Sequence, residues 1–578
     1  MDKPSKTTFT PWGPFAQPPN LLILMTDQQR TAQHMPDGWV KNNLPNLWAL
    51  HQGGVSFPNA MTNTTACSPS RATLWTSTYP PLNGVMAVSD TLNLPQDVVT
   101  NPNASPLPLA TLGQVLATLN YQIAYKGKWH LTKTFQKGLS PIQQFQLASL
   151  LAEDDANMAS IYGFPGWTSP DFGTYMDTYP NPICLSQSGI DTLGGGFGGN
   201  DARITNGTSY TVLAQTNSLG DPTSEIVIVE NAVQYLQNYT SDGTNPFCLI
   251  VSLLNPHDIF VSPFLYKEAG YSNPDGNGNE PWQVPPFTDI QLPPNYTLSQ
   301  DQRDAKPPAQ WTWQDTAFGT TKLSDDQALD YLRFYAYLET LTDAMLGEVM
   351  SAMSPDVVAN TLVVRLSDHG EMGMSQGGMR EKEENAYNET LFVPMIFSNP
   401  GLPQGASCPG LAGLIDVVPT LAEICGITDL NTRLAVQGRS LAGAILNGDS
   451  GETYHRFLFT TDDNTAHAIP IRCLIEDHHH HAKYAVYYDK TTADGNPNGS
   501  SSNWQCELYH FSSDHTARDS EMTNQIPANG LITFEKASTD WAQWTWREMH
   551  EHLTQAMHQT MTKPDNWPPA PPPPPHKD

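Results

Sequence analysis

Cysteine is sparse in this chain: seven residues among 578, odd in number, and none in a Cys-x-x-Cys pair. That excludes a disulfide framework and a cysteine-based zinc module. Basic residues are also few, 29 Lys and Arg against 58 Asp and Glu, a net charge of −29. A nucleic-acid binder needs a basic face, so that class is excluded. Surface charge is screened over about 8 Å, so a local group of Lys, Arg, His and metal can still bind an anion inside a cleft. Long apolar runs are missing too. Leu21-Leu22-Ile23-Leu24-Met25 is too short for a membrane span and soon meets Asp27. Lys3 and Lys6 lead to Pro11, Trp12, Pro14 and Pro18 with no apolar core of a signal peptide. The expectation is a soluble cytoplasmic protein without a membrane partner, or a periplasmic or secreted one if a leader was removed.

Gly 41 and Pro 49 fit a globular protein rich in polar loops, and the length permits about three or four domains. Three near-continuous apolar runs read as strands buried on both faces of a parallel sheet: 21–26, 247–254 and 361–366. Helical periodicity appears at 109–119 and 326–353. Alternating strands and helices predict an α/β domain with a large mixed, mostly parallel sheet flanked by helices. Ligands of such sheets bind beyond the carboxyl ends of the strands. The first 20 residues read as an extension, and 21–430 as the α/β domain. Gly-, Asn- and Thr-rich 132–225 and Pro- and Trp-rich 261–325 read as insertions, the usual material of lids and specificity loops. The segments 483–488 and 504–511 read as strands of a smaller C-terminal α+β sheet domain over 431–550. Residues 551–578, with Pro571 to Pro575, read as a proline-rich tail.

Chemistry-bearing residues follow the strand-like runs. Asp27-Gln28 and Asp368-His369 offer three oxygen-bearing groups and one imidazole. Two carboxylates at one sheet edge repel unless a cation lies between them, and this donor set suits a divalent ion. Strand-end acids also serve as ordinary helix caps. Lys128 and His130 flank Trp129 at alternate positions of Lys126-Gly127-Lys128-Trp129-His130-Leu131 and can converge on one ligand. His257 follows Asn255-Pro256, and Arg380 and Lys382 precede Tyr387. Cys67-Ser68-Pro69-Ser70-Arg71 contains a cysteine that would otherwise be an inert buried residue. The run His478-His479-His480-His481 reads as a solvated loop.

The Cys-x-Pro-Ser-Arg run resembles the activation signature of the type I, formylglycine-dependent sulfatases of the alkaline phosphatase superfamily. This arylsulfatase-like family is related to the phosphonate monoester hydrolases. Lys128-Trp129-His130-Leu131 is similar to its G-K-W-H-L motif, and Lys382 ahead of Tyr387 to Pro394 resembles another family stretch, with Asn388 and Phe392 as departures. Asp416 to Thr420, Gln437 to Leu441 and Glu507-Leu508-Tyr509 extend the likeness from about residue 20 to 525. The resemblance implies an alkaline-phosphatase-like fold and hydrolysis of a small-molecule sulfate ester. It implies that Cys67 becomes formylglycine through a maturation enzyme. Asp27, Gln28, Asp368 and His369, with residue 67, would hold one Ca2+ or Mn2+. Arg71, Lys128, His130, His257 and Lys382 would handle the sulfate, the diol and the leaving group. Gln28 departs from the second Asp of many members. A phosphonate monoester or phosphodiester hydrolase is the alternative on the same scaffold, with cross-activity expected, and a non-catalytic anion-binding relative the alternative of another class. A homo-oligomer is expected, the tail reaching a neighbouring subunit.

Overall fold

The three apolar runs become neighbouring strands. The computed structural model describes residues 9–88, 90–94, 107–131, 156–167, 204–205, 209–210, 225–239, 245–262, 271–320, 322–448, 455–461, 470–477, 480–488, 504–510 and 540–560. Most of the expected insertion at 132–225 and the chain beyond 560 therefore lie outside the described residues. Among those described, seven strands build the main sheet. They are β1 (Asn20–Asp27), β2 (Gly54–Ser56), β3 (Gln122–Gly127), β4 (Phe247–Pro256), β5 (Thr361–Ser367), β6 (Met395–Ser398) and β7 (Ala406–Ser407). Their order is β7-β2-β6-β5-β1-β4-β3, and only β6 runs against the rest. The sheet is mixed and mostly parallel, as the sequence predicts.

Every residue of β1, β4 and β5 is buried, because helices cover both faces. The strand period of two sorts the side chains. Leu21, Ile23, Met25, Ile250 and Val364 face one core, with Trp75 of α1 (Cys67–Thr76). Leu22, Leu24, Leu249, Val251 and Val363 face the other, with α2 (Glu225–Asn238) and α3 (Asp325–Ser351). The first core also takes Val418 and Leu421 of α4 (Val417–Ile424). Helix α3 starts at a capping box of Ser324 and Gln327, with Asp325 and Asp326 at its positive end. None of the described helices is long and apolar enough to cross a membrane.

Helix α3 carries a buried acid, Glu339, whose Oε1 accepts from Gln29 Nε2 at 3.3 Å. Burial raises its carboxyl, Arg30 and Arg365 oppose the rise, and the result is about 7. A carboxyl raised on folding binds its proton more tightly in the native state. Its contribution is therefore full below the unfolded value and is lost as pH climbs towards 7. Glu339→Gln keeps the acceptor and removes the titration. The wild-type chain should lose up to about 3 kcal/mol between pH 4.5 and 7 from this group, and the variant should not. Urea titrations at both pH values measure the difference, and parallel slopes for the two proteins would refute it.

A second sheet is an antiparallel meander of β8 (Arg456–Thr461), β9 (Ile471–Glu476), β10 (Ala482–Tyr488) and β11 (Trp504–His510). One face, with Phe457, Phe459, Ile475 and Tyr487, packs on Met61, Leu391 and Phe392 of the main domain. The other, with Leu458, Leu474, Tyr484 and Leu508, packs on α5 (Asp540–Thr560) through Trp546, Met549, Leu553 and Met557. Each such side chain contributes about 1.5–3 kcal/mol on burial. The boundary read at 550 falls inside α5, because this apolar stripe continues to Met557. Residues 551–560 therefore belong to the C-terminal domain and not to a tail.

Candidate active site

Four parallel strands, β5-β1-β4-β3, lie side by side, so their carboxyl ends meet at one edge. β1 ends on Asp27, β5 leads to Asp368 and His369, β4 to His257, and β3 to Lys128. Cys67 opens α1, at the positive end of the helix dipole. Residues at this edge carry strain. Gln28, His130 and Glu381 all have positive φ (65°, 59° and 67°), which non-glycine residues keep only where their surroundings hold them. Gly127 is needed as glycine, since a side chain there would run into the Ser252 carbonyl.

Arg71 is the strut of the site. It is fully buried and donates Nε to Asp368 Oδ2 and Nη2 to Asp27 Oδ2, both at 2.9 Å. Its Nη1 donates to the Lys128 carbonyl at 2.7 Å and to Ser252 Oγ at 2.9 Å. All three nitrogens are thus engaged by protein, so Arg71 positions the carboxylates. Lys128 Nζ lies 2.6 Å from Asp27 Oδ2. Burial alone would raise the Asp27 carboxyl, but the charges of Lys128 and Arg71 win and hold it well below the usual range.

With both Oδ2 atoms so held, the Oδ1 atoms turn to His369 Nε2, each at 3.7 Å. Cys67 Sγ stands 3.0 Å from His369 Nε2 and 3.6 Å from Asp27 Oδ1. Ligand atoms of Asp27, Cys67, Asp368 and His369 all lie within 4.8 Å of one another, and all four residues are buried. His369 Nδ1 faces the Gly370 carbonyl at 3.1 Å. A carbonyl only accepts, so Nδ1 carries a hydrogen, and Nε2 is the ring nitrogen turned to the carboxylates, where it could offer a lone pair to a metal ion. A lone pair, two anionic oxygens and a sulfur turned inward fit a divalent cation.

The carboxamide of Gln28 sits beside this group. Its Oε1 accepts from Lys382 Nζ at 2.7 Å, and its Nε2 donates to Glu371 at 2.5 Å and Glu381 at 2.8 Å. Burial and the charge of Glu381 push the Glu371 carboxyl up. An Asp at position 28 would set a third carboxylate against this pair, which is a physical reason for the amide. Lys382 is buried, which alone would lower its pKa, yet Glu383 and Glu381 raise it well above the ordinary value. Arg380 points elsewhere, with its guanidinium 3.9 Å from the centre of the Phe318 ring. Of the two cations, Lys382 is the one at the site.

His257 begins a short 3-10 turn (His257–Val261), and its Nδ1 has no hydrogen-bond partner among the described residues. Burial, then Lys128 and Lys382, push its pKa well below the ordinary value, so the ring is neutral. Trp129 packs on Tyr125, Tyr162 and Phe164, anchoring the stretch that carries Lys128 and His130. The His130 carbonyl accepts from Ser68 Oγ at 2.8 Å, which ties it to the residue after Cys67. Sequence reasoning missed Ser252, Glu371 and Glu381. Ser252 left a signal, a polar residue near the end of an apolar run; the two acids left none.

A family model described as Sulfatase matches residues 19–427. The chain belongs to the sulfatase family. This sulfatase is similar to the ulvan-active sulfatase of Formosa agariphila, 24% identical over 435 residues, which are 75% of this chain and 66% of that protein. It is also 24% identical over 442 residues to the choline-sulfatase of Rhizobium meliloti, covering 74% and 72% of the two chains. The chain spans just under two thirds of the length of the ulvan-active sulfatase. Among solved structures, a 2-O GAG sulfatase shares the fold with a TM-score of 0.60, 19% identity and coverage of 94% and 93%. So does the phosphonate monoester hydrolase of Agrobacterium radiobacter, with a TM-score of 0.57, 18% identity and coverage of 94% and 96%.

Proposed function

We propose that this sulfatase hydrolyses sulfate esters of small molecules, with residue 67 carried as formylglycine beside one divalent ion. The observation that carries this reading is the inward convergence of Asp27 Oδ1, Asp368 Oδ1 and His369 Nε2 next to Cys67 Sγ. Those residues would hold the ion, and Gln28 would join them through Oε1 by releasing Lys382. The imidazole donor suits Mn2+ better than Ca2+, which prefers oxygen. When present, the ion supplies a Lewis acid and the formylglycine hydrate supplies the attacking hydroxyl.

The chain's own residues prepare the rest. Arg71 holds both carboxylates through Oδ2, so that their Oδ1 atoms face inward. Lys128 and Lys382 set two buried ammonium groups at the strand ends, where charge on sulfate oxygens is stabilised most in a dry site. Neutral His257 has an N–H to give to the leaving oxygen. His130, which follows β3 and is tied through its carbonyl to Ser68 beside residue 67, is the base for the second hydroxyl of the diol.

The test uses purified full-length protein with an aryl sulfate and a phenyl phosphonate, together with mass spectrometry of the peptide carrying residue 67. An aldehyde at 67 and faster sulfate turnover are expected. Active protein that keeps the thiol would overturn the formylglycine reading. Phosphonate turnover far above sulfate turnover would favour the phosphonate monoester hydrolase alternative. Co-expression with a formylglycine-generating enzyme should raise the aldehyde content and the specific activity in proportion. Chelation should remove turnover and Mn2+ restore it; turnover indifferent to chelator would refute the ion.

A further inference from the structure

Outside the active site, β9, the turn after it and α5 bring together Glu476, His480 and His552. One ligand atom from each lies within 4.8 Å of the others. Of the histidine run, residues 478 and 479 lie outside the described residues, and His480 is not the solvated loop residue expected of it. The His480 side chain is 12% exposed, and its Nε2 lies 3.0 Å from Glu548 Oε2. The His480 and His552 rings are 5.9 Å apart. Glu548 and His552 are one helical turn apart on α5 and so share a face. Buried Glu476 binds Arg456 through Oε1 at 3.2 Å, while its Oε2 meets His552 Nδ1 at 2.9 Å. Burial works against its charge, but His552 and Arg456 outweigh that and keep the carboxyl below its ordinary value.

We propose that Glu476, His480 and His552 form a structural site for a zinc-class divalent ion, with Glu548 as the fourth ligand. Two imidazoles and two carboxylates are a zinc donor set, and the four side chains come from strand, turn and helix. Tetrahedral zinc keeps its ligand atoms roughly 3.4 Å apart, so side-chain rotations would draw Glu476, His480 and His552 together, and half-exposed Glu548, which already meets His480, would swing in as the fourth. The ion would then pin α5 to the sheet. This adds to the apolar packing of Trp546, Met549 and Leu553 and couples the C-terminal domain to metal supply.

The experiment is a titration of demetallated full-length protein with Zn2+, and with Co2+ for its visible spectrum. One equivalent should depend on His552 and a separate one on Asp368 of the active site. His552→Gln should weaken the first by at least about tenfold, the loss seen even for outer-shell partners. It should also abolish the Co2+ band of a tetrahedral site and any zinc-dependent rise in Tm, with aryl sulfate turnover reporting that the protein is folded. His480→Gln is the second variant should His552→Gln fail to fold. The triple variant His478→Ala, His479→Ala, His481→Ala should bind as the wild type does. Unchanged binding in His552→Gln or His480→Gln, or binding lost in the triple variant alone, would overturn the proposal and leave only a loose histidine run.

Discussion

Cys67→Ala is expected to lower sulfate ester turnover by about 10⁴-fold or more while the protein stays folded. The side chain is small, and its removal leaves a cavity worth only about 1 kcal/mol. Its chemistry is not replaceable: Sγ is the one atom of α1 that meets both His369 Nε2 and Asp27 Oδ1. A residual rate would come from the ammonium groups of Lys128 and Lys382, which would still attract sulfate. Cys248→Ala is the control. That thiol lies near the start of β4, at the end of the strand away from His257, and burial pushes its pKa up. It should keep near-normal turnover. Initial rates with an aryl sulfate, beside urea denaturation of both variants, make the measurement. A Cys67→Ala enzyme within tenfold of the wild type would remove residue 67 from the chemistry.

The second large effect is on stability. Arg71→Ala should cost about 3–5 kcal/mol, because it strands two buried carboxylates without the cation that bridges them. Lys128 remains on Asp27, so Asp368 bears most of the loss. Arg71→Lys keeps the charge, yet an ammonium cannot donate in the planar fork that reaches Asp27, Asp368, the Lys128 carbonyl and Ser252 together. It should recover part of the stability and little of the turnover, since the Oδ1 atoms would no longer be aimed at His369. Denaturant titration and single-turnover rates on both variants separate these outcomes. A loss below about 1 kcal/mol for Arg71→Ala would show that the carboxylates find another partner.

The active-site readings differ in how far the chain alone could carry them. Arg380 and Lys382 are two residues apart and chemically similar, and only packing separates them: one stacks on Phe318, the other reaches Gln28. Gln28 looked like a weakened ligand. Its Nε2 also makes it the neutral bridge between Glu371 and Glu381, which lie more than 340 residues away in sequence. Arg71 looked like a sulfate contact, and four of its five N–H donors go to Asp368, Asp27, the Lys128 carbonyl and Ser252. His480 looked solvated, and helix α5 closes over it.

The sequence by itself determined the strands and the residues that follow them. Buried parallel strands must be apolar on both faces, and that leaves a continuous run ending at Asp27, Pro256 or Ser367. It also determined the chemistry available, since residue types and local spacing are properties of the chain. Tertiary structure alone decided that β5, β1, β4 and β3 are neighbours, which brings four strand ends to one edge. Strand pairing is non-local and set by packing of whole faces, so no local pattern encodes it. The same holds for which charges meet. Arg71 with two carboxylates, and His552 with Glu476, are paired by distances that exist only once the sheets and helices have packed.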